Sequence, residues 1–248
     1  MRDYKKIELF LCDFIKNECE KAGAKGVVLG ISGGIDSALV AVLAKKALND
    51  NVFALLMPTN SSNQTNLEDA LKLCKDLNIQ YEILNISKSL DELYLLSKNL
   101  DKIRKGNLAA RLRMALLYDY SALKSYLVIG TSNKSELKLG YGTIYGDLAH
   151  AFNPIGDLYK SEIFDFAAYL NLPASFIEKE PSADLYENQS DEKEFGFSYK
   201  EIDKLLMAME RGDELAEFSE DLKEMVQTRM SKNAFKQRLP KIAKLDEF

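Results

Sequence analysis

Residues 26–31 form a short, largely β-branched apolar run that ends in Ser32-Gly33-Gly34 and passes straight into an Ala/Leu/Val-rich segment, residues 36–48. The pattern is a strand, a glycine turn and a helix, and a strand that is apolar on every residue has to be buried on both faces. The alternation repeats along the chain. Residues 52–57 read as a strand, 66–77 as a helix, 79–84 as a strand, 88–99 and 105–124 as helices, and 126–130 as a fourth buried strand. Strands of this kind separated by helices predict an open parallel sheet with helices on both faces. Ahead of the first strand, Ile7, Leu11, Phe14 and Ile15 recur at helical spacing and predict a helix over residues 3–22, with Cys12 and Cys19 on its buried face.

After Gly130 the texture changes. Residues 139–147 place three glycines among aromatics, which no regular element tolerates, so a mobile loop is expected there. A helix over 160–170 stops before Pro173, a polar stretch runs from 181 to 194, and helical segments follow at 198–211 and 213–232. No linker, repeat or low-complexity tract divides the chain, and a single domain over residues 1–248 is expected.

The composition mostly excludes. Lys plus Arg is 33 against 38 for Asp plus Glu, a net charge of −5, and no basic run is dense enough to follow a phosphate backbone, so nucleic acid is not an expected partner. His150 is the one histidine and is read as a packing residue; Cys12, Cys19 and Cys74 show no metal-ligand spacing. Unpaired, sparse cysteines suit a reducing compartment, and no segment has the apolar length of a signal core or a membrane span. A cytoplasmic protein without a membrane partner is expected.

The sharpest feature is Gly30-Ile31-Ser32-Gly33-Gly34-Ile35-Asp36-Ser37, where a strand end meets a helix N-terminus. Glycines let a ligand approach the backbone, and free N–H groups at the helix start favour an anion. Ser32 and Ser37 add hydroxyl donors, so a phosphate or pyrophosphate fits. The spacing is neither a Walker A loop nor G-x-G-x-x-G. Asp36 within such a nest repels phosphate by itself, which argues for a bridging divalent cation with oxygen ligands, Mg²⁺ first among them. A tight turn with a serine cap is the ordinary alternative.

S-G-G-x-D-S after a first strand resembles the signature of the N-type ATP pyrophosphatases, whose fold is Rossmann-like and of the adenine nucleotide alpha hydrolase type. Within that superfamily four further segments resemble the NAD synthetases in order and spacing: residues 105–114 around Arg111, Gly130-Thr131-Ser132-Asn133-Lys134-Ser135-Glu136, Tyr145-Gly146-Asp147, and Lys179-Glu180-Pro181-Ser182-Ala183-Asp184-Leu185. Asp191-Glu192 and Gly196-Phe197-Ser198-Tyr199 extend the last of them.

The resemblance implies that residues 30–37, Thr131, Lys160 and Ser182 contact ATP, that Asp36 and Glu136 hold Mg²⁺, and that Arg111 contacts the dinucleotide acid. Lys160 would offset charge on the leaving pyrophosphate, and Asp147, in the glycine-rich loop, is a candidate proton acceptor. Residues 60–63, Asn60-Ser61-Ser62-Asn63, are expected to lie over the adenosine or to be an ordinary Asn/Ser-rich turn. Each has an ordinary reading too: Arg111 paired with an acid, Glu136 solvated on a helix, Lys160 at the surface, Ser182 in a turn, Asp147 capping the turn after Gly146. The acidic run at 187–194 reads as a solvated segment.

The implied reaction is ATP-dependent amidation of deamido-NAD⁺ with ammonia, through an acyl-adenylate, by a homodimer. Glutamine-using relatives carry an added amidohydrolase domain for which 248 residues leave no room. The alternatives are another ATP pyrophosphatase, GMP-forming or tRNA-modifying, and a non-catalytic nucleotide sensor. The chain departs from longer relatives at Ile144, Ala151 and Phe235, which leaves the contacts to the nicotinate end open; Lys236 and Arg238 are read there as surface residues or as closing over the substrate.

Overall fold

The computed structural model of the chain describes residues 2–182 and 190–243. Ala183, Asp184 and Leu185 of the motif and the first residues of the acidic run lie outside them. In chain order the elements are α1 (Tyr4–Lys21), β1 (Val27–Gly30), α2 (Ile35–Leu48), β2 (Val52–Leu56), α3 (Gln64–Asp76), β3 (Gln80–Ile83), α4 (Ser87–Leu95), α5 (Lys102–Lys124) and β4 (Leu127–Val128). They continue with α6 (Lys134–Leu139), α7 (Lys160–Tyr169), α8 (Ala174–Ile177), α9 (Asp191–Phe195), α10 (Tyr199–Arg211), α11 (Glu220–Asn233) and a 3-10 turn, Ala234–Gln237.

The sheet is parallel throughout, in the order β3-β2-β1-β4, with Val27 opposite Val52 on one side and Leu127 on the other. Alternation along the strands splits the core in two. Val27, Leu29, Ala54 and Leu56 face α1, α2, α3 and α7, whereas Val28, Phe53 and Leu55 face α4 and α5. Both faces are therefore covered, as the apolar strands require, and α2 is buried along most of its length. A third cluster, built on Leu139, Phe195, Ile202, Leu206 and Val226, joins α6, α9, α10 and α11 beside the sheet.

The differences from expectation lie mostly after Gly130. β4 is two residues long because Ile129 pairs instead with Phe152, and the returning segment bonds alongside through Gly130 N to Phe152 O and Ala151 N to Val128 O, each at 2.8 Å. The last long helix starts at Glu220, not near 213, since the Ser219 hydroxyl oxygen accepts the Leu222 N–H and caps it there. Cys19 is buried on α1 and Cys12 half-buried, and all three cysteines are free. Among the described residues no helix is long and apolar enough to cross a membrane.

Candidate active site

The chain steps outward from β1 to β2 and β3, then returns to lay β4 on the other side of β1. Connections leaving β1 and β4 part at that point, the place where open α/β sheets bind ligands. A cavity of about 550 Å³ opens there. Gly30, Ile31, Ser32, Gly34, Asp36 and Ser37 line it from the glycine turn, and Thr131, Glu136, Lys160, Ser182 and Asp147 from later segments. Leu55, Leu56, Met57 and Val128 make its apolar wall, with Ser62 and Asn63 of the 60–63 segment at the rim. Gly33, Ile35 and Arg111 are not among the lining residues.

Gly33 and Ile35 act from behind the wall. Gly33 has φ +84°, and any side chain there would run into the Asn66 backbone carbonyl. Lys179 holds the same spot, donating to Gly33 O at 3.0 Å, Asn66 Oδ1 at 2.8 Å and Asp69 Oδ2 at 2.7 Å. Ile35 is core. The α2 N-cap is Gly34, which brings no side chain to the first-turn amides, while Ser37 Oγ donates to Gly34 O at 3.0 Å and braces the turn from inside. A helix start left this way is an anion seat.

Beneath the turn three elements bring charge together. The Lys160 ammonium, from the first residue of α7, donates to Asp36 Oδ2. Asn133 Nδ2 donates to Asp36 Oδ1 at 3.0 Å. Asn133 is also the N-cap of α6: its Oδ1 accepts the Glu136 N–H at 3.0 Å, and its own N–H donates to Glu136 Oε2 at 3.2 Å. Burial and the neighbouring Asp36 carboxylate push the Glu136 carboxyl well above its ordinary value. Burial opposes the charge on Lys160, but the Asp36 and Glu136 carboxylates outweigh it and raise its ammonium.

Two carboxylates set near each other, with oxygen donors only, suit a hard cation. Among the described residues no group of three or more His, Cys, Asp or Glu is set to hold a metal. A cation on Asp36 and Glu136 would therefore complete its shell with water and phosphate oxygens, which is the habit of Mg²⁺. The donor set fits.

Asp191, which the motif reading carried without a role, also lines the cavity, buried and accepting from Tyr141 Oη at 3.1 Å and Tyr199 Oη at 3.2 Å. Burial raises its carboxyl, against the pull of Lys160 and the two phenols. Its acidity was visible in the sequence; its place beside Lys160 was not.

The glycine-rich loop is tethered. Asp147 Oδ1 accepts the Thr143 N–H at 2.9 Å, Thr143 Oγ1 meets Asn107 Oδ1 at 2.7 Å, and Arg111 Nε donates to Ile144 O at 3.3 Å. Lys236, one of the open positions near the C-terminus, lines the cavity and donates to Gly140 O at 2.8 Å and Gly142 O at 2.9 Å. Asp147 lines the cavity and stays exposed as a residue, but enough protein lies around its carboxyl that desolvation raises it despite the Thr143 bond. On α5 it is Arg113 that reaches the cavity wall, with Nε donating to Met57 O at 3.1 Å. His150 borders the cavity over Gly130, its buried Nδ1 without a partner, and burial lowers its imidazole.

A parallel sheet with a glycine turn at its switch point and an ammonium set among carboxylates under that turn defines the class, an open α/β protein with an anion seat at its sheet edge. Comparison with known proteins narrows the class. Residues 8–240 match the family described as NAD synthase. The chain is 60% identical over 245 residues to the NH(3)-dependent NAD(+) synthetase of Campylobacter jejuni subsp. jejuni, covering 98% of this chain and 100% of that one.

Two solved structures are similar throughout. NH3-dependent NAD synthetase from Campylobacter jejuni, in complex with the nitrate ion, has TM-score 0.88 and 56% identity, covering 98% of this chain and 100% of that one. NMN synthetase from Francisella tularensis has TM-score 0.90 and 32% identity, covering 98% and 99%. The chain belongs to the NAD synthase family.

Proposed function

We propose that this chain joins ammonia to the nicotinate carboxylate of deamido-NAD⁺ at the expense of ATP, giving NAD⁺, AMP and pyrophosphate. The observation that carries the reading is the Asp36, Glu136 and Lys160 cluster directly beneath an uncapped helix start. A carboxylate resists nucleophiles because its charge repels them and oxide does not leave; transfer of AMP to it removes both obstacles. The nicotinate oxygen attacks the α-phosphorus, and the pyrophosphate departs toward the turn at residues 32–37. Ammonia then adds to the acyl-adenylate and AMP leaves.

The chain's own part is positioning and charge. Main-chain N–H groups of the turn with Ser32 and Ser37 take the leaving phosphates, Lys160 meets their growing charge, and Thr131 and Ser182 stand where ATP would be held. Asp36 and Glu136 would hold Mg²⁺, which when bound supplies neutralisation of the phosphate oxygens. Asp147 stands at the mouth as the proton acceptor for ammonia. Arg111, whose Nε donates to the Ile144 carbonyl of the loop, is the residue proposed to contact the dinucleotide acid. Residues 1–248 are taken as one synthetase domain, in the cytoplasm.

The family resemblance also supports a homodimer, and Leu9 and Phe10 on α1 with Ile103, Tyr118 and Leu123 on α5 are exposed apolar side chains available to such an interface. A light-scattering mass of one chain would refute that. The reaction is tested by mixing the protein with ATP, Mg²⁺ and ammonium, with deamido-NAD⁺ or nicotinate mononucleotide as acceptor. NAD⁺ with AMP is expected; ADP as product sinks the adenylylation, and turnover with the mononucleotide alone moves the substrate.

A further inference from the structure

Lys160 opens α7, and Tyr159 before it makes no side-chain cap. The first amides of such a helix need acceptors from elsewhere. They find them on two other helices. The Lys160 N–H donates to Ser135 Oγ at 2.9 Å, and the Ser161 N–H to Asp203 Oδ2 at 2.8 Å. Ser135 Oγ donates in turn to Asp203 Oδ1 at 2.5 Å. Ser135 precedes Glu136 on α6, and Asp203 sits on α10, 1% exposed and outside the cavity wall.

One carboxylate therefore ties the starts of the helices that present Glu136 and Lys160. Burying an acid is costly, and an apolar side chain would serve packing alone at least as well in a cluster that already holds Ile202, Leu205 and Leu206. Both Asp203 oxygens are spent on this junction, and neither reaches the ligand space.

We infer that Asp203 is a positioning residue for the adenylylation half of the reaction: through Ser135 and the Ser161 amide it sets the spacing of Glu136 and Lys160 about Asp36. The inference rests on the reading of that cluster given above. Asp203→Asn isolates the effect. The substituted amide still accepts the Ser161 N–H through its oxygen, but it turns an N–H toward a serine hydroxyl that needs an acceptor, so the junction shifts without losing its volume.

The test is exchange of labelled pyrophosphate into ATP with Mg²⁺ and deamido-NAD⁺ and without ammonium, which follows adenylylation alone. Asp203→Asn should fold, by circular dichroism and a cooperative melt, and lose exchange at saturating ATP by about 10- to 100-fold, the size usual for groups that orient catalytic ligands, with little change in KM for ATP. Exchange per folded molecule equal to the unsubstituted protein, or a loss confined to KM, overturns the inference. If the asparagine variant fails to fold, Ser135→Ala, which removes only the hydroxyl link, decides by the same two outcomes. Unsubstituted protein that shows no exchange at all takes down the functional reading and this inference with it.

Discussion

The ammonium of Lys160 donates to one oxygen of the Asp36 carboxylate while Asn133 donates to the other, so Asp36 is held at both ends before any nucleotide arrives. A lysine preset in this way costs no reorganisation when charge develops on a departing phosphate. Lys160→Met should lower kcat by about 10²- to 10³-fold, the loss seen when one preorganised donor to a developing oxyanion is removed. Steady-state NAD⁺ formation checks it, and a change smaller than tenfold would assign Lys160 to structure.

Gly33 and Lys179 hold the turn from the side away from the ligand. Gly33→Ala forces a side chain into a left-handed residue pressed on Asn66 and should cost about 1–3 kcal/mol by urea unfolding, with loss of ATP binding. Lys179→Met leaves the backbone free to adopt the turn but removes its tie to Asn66 and Asp69. Its KM for ATP should rise several-fold with kcat nearly kept; the reverse pattern would place Lys179 in the chemistry.

Glu136→Gln separates stability from activity. Burial and the Asp36 charge work against an ionised Glu136, so the neutral amide should melt at the same temperature as the unsubstituted protein or higher. The same change replaces one of the two proposed metal-holding carboxylates with a neutral amide, a far weaker ligand for a hard cation. In thermal melts with ATP, adding Mg²⁺ should stabilise the unsubstituted protein further and the variant hardly at all, and an equal gain in both would clear Glu136 of that role.

The acid limb of stability has a named contributor in Glu210. Burial works against its charge, but Lys138, Lys134 and Tyr159 more than offset this and lower its carboxyl to about 2 from an ordinary 4.5. A carboxyl held lower in the folded chain than in the unfolded one stabilises above the unfolded value and loses that contribution as pH falls toward the folded one. Glu210→Gln should thus melt lower than the unsubstituted protein at pH 7, with the two converging between about pH 4.5 and 2. Parallel curves across that range would refute it.

The sheet was legible because residues 26–31, 52–57 and 126–130 are apolar on consecutive positions, a pattern few other structures permit. α6 entered only through the ordinary reading of Glu136 as solvated on a helix, because its six residues, Lys-Ser-Glu-Leu-Lys-Leu, show no helical stripe; Asn133 with Glu136 three residues on is the capping box that marks it. In the motif around Arg111, Arg113 is two positions away, and residues at that spacing do not share a helix face. The resemblance singled out Arg111, and the fold turns Arg113 to the cavity.

Asp203 was readable as an acid in a helical segment and Asp191 as part of a solvated acidic run, yet Asp191 is buried, and the meaning of both comes from Tyr141, Tyr199, Ser135 and Ser161, partners between 8 and 68 residues away for the bonds that matter. The loop at 139–147 looked mobile because its glycines carry no fixing side chains. The bonds that tether it come from Asn107, Arg111 and Lys236, on elements whose approach no local pattern encodes.

Asp36 and Lys160 stand 124 residues apart in the chain. Their meeting closes a long loop and needs both β4 in the sheet and α7 docked on α2. Ordering so distant a pair is the slow, entropically costly part of assembling a topology like this one. A nascent chain stalled short of α7 would own the whole glycine turn and still lack the ammonium of Lys160 that meets Asp36, so competence for chemistry is a property of the finished tertiary structure.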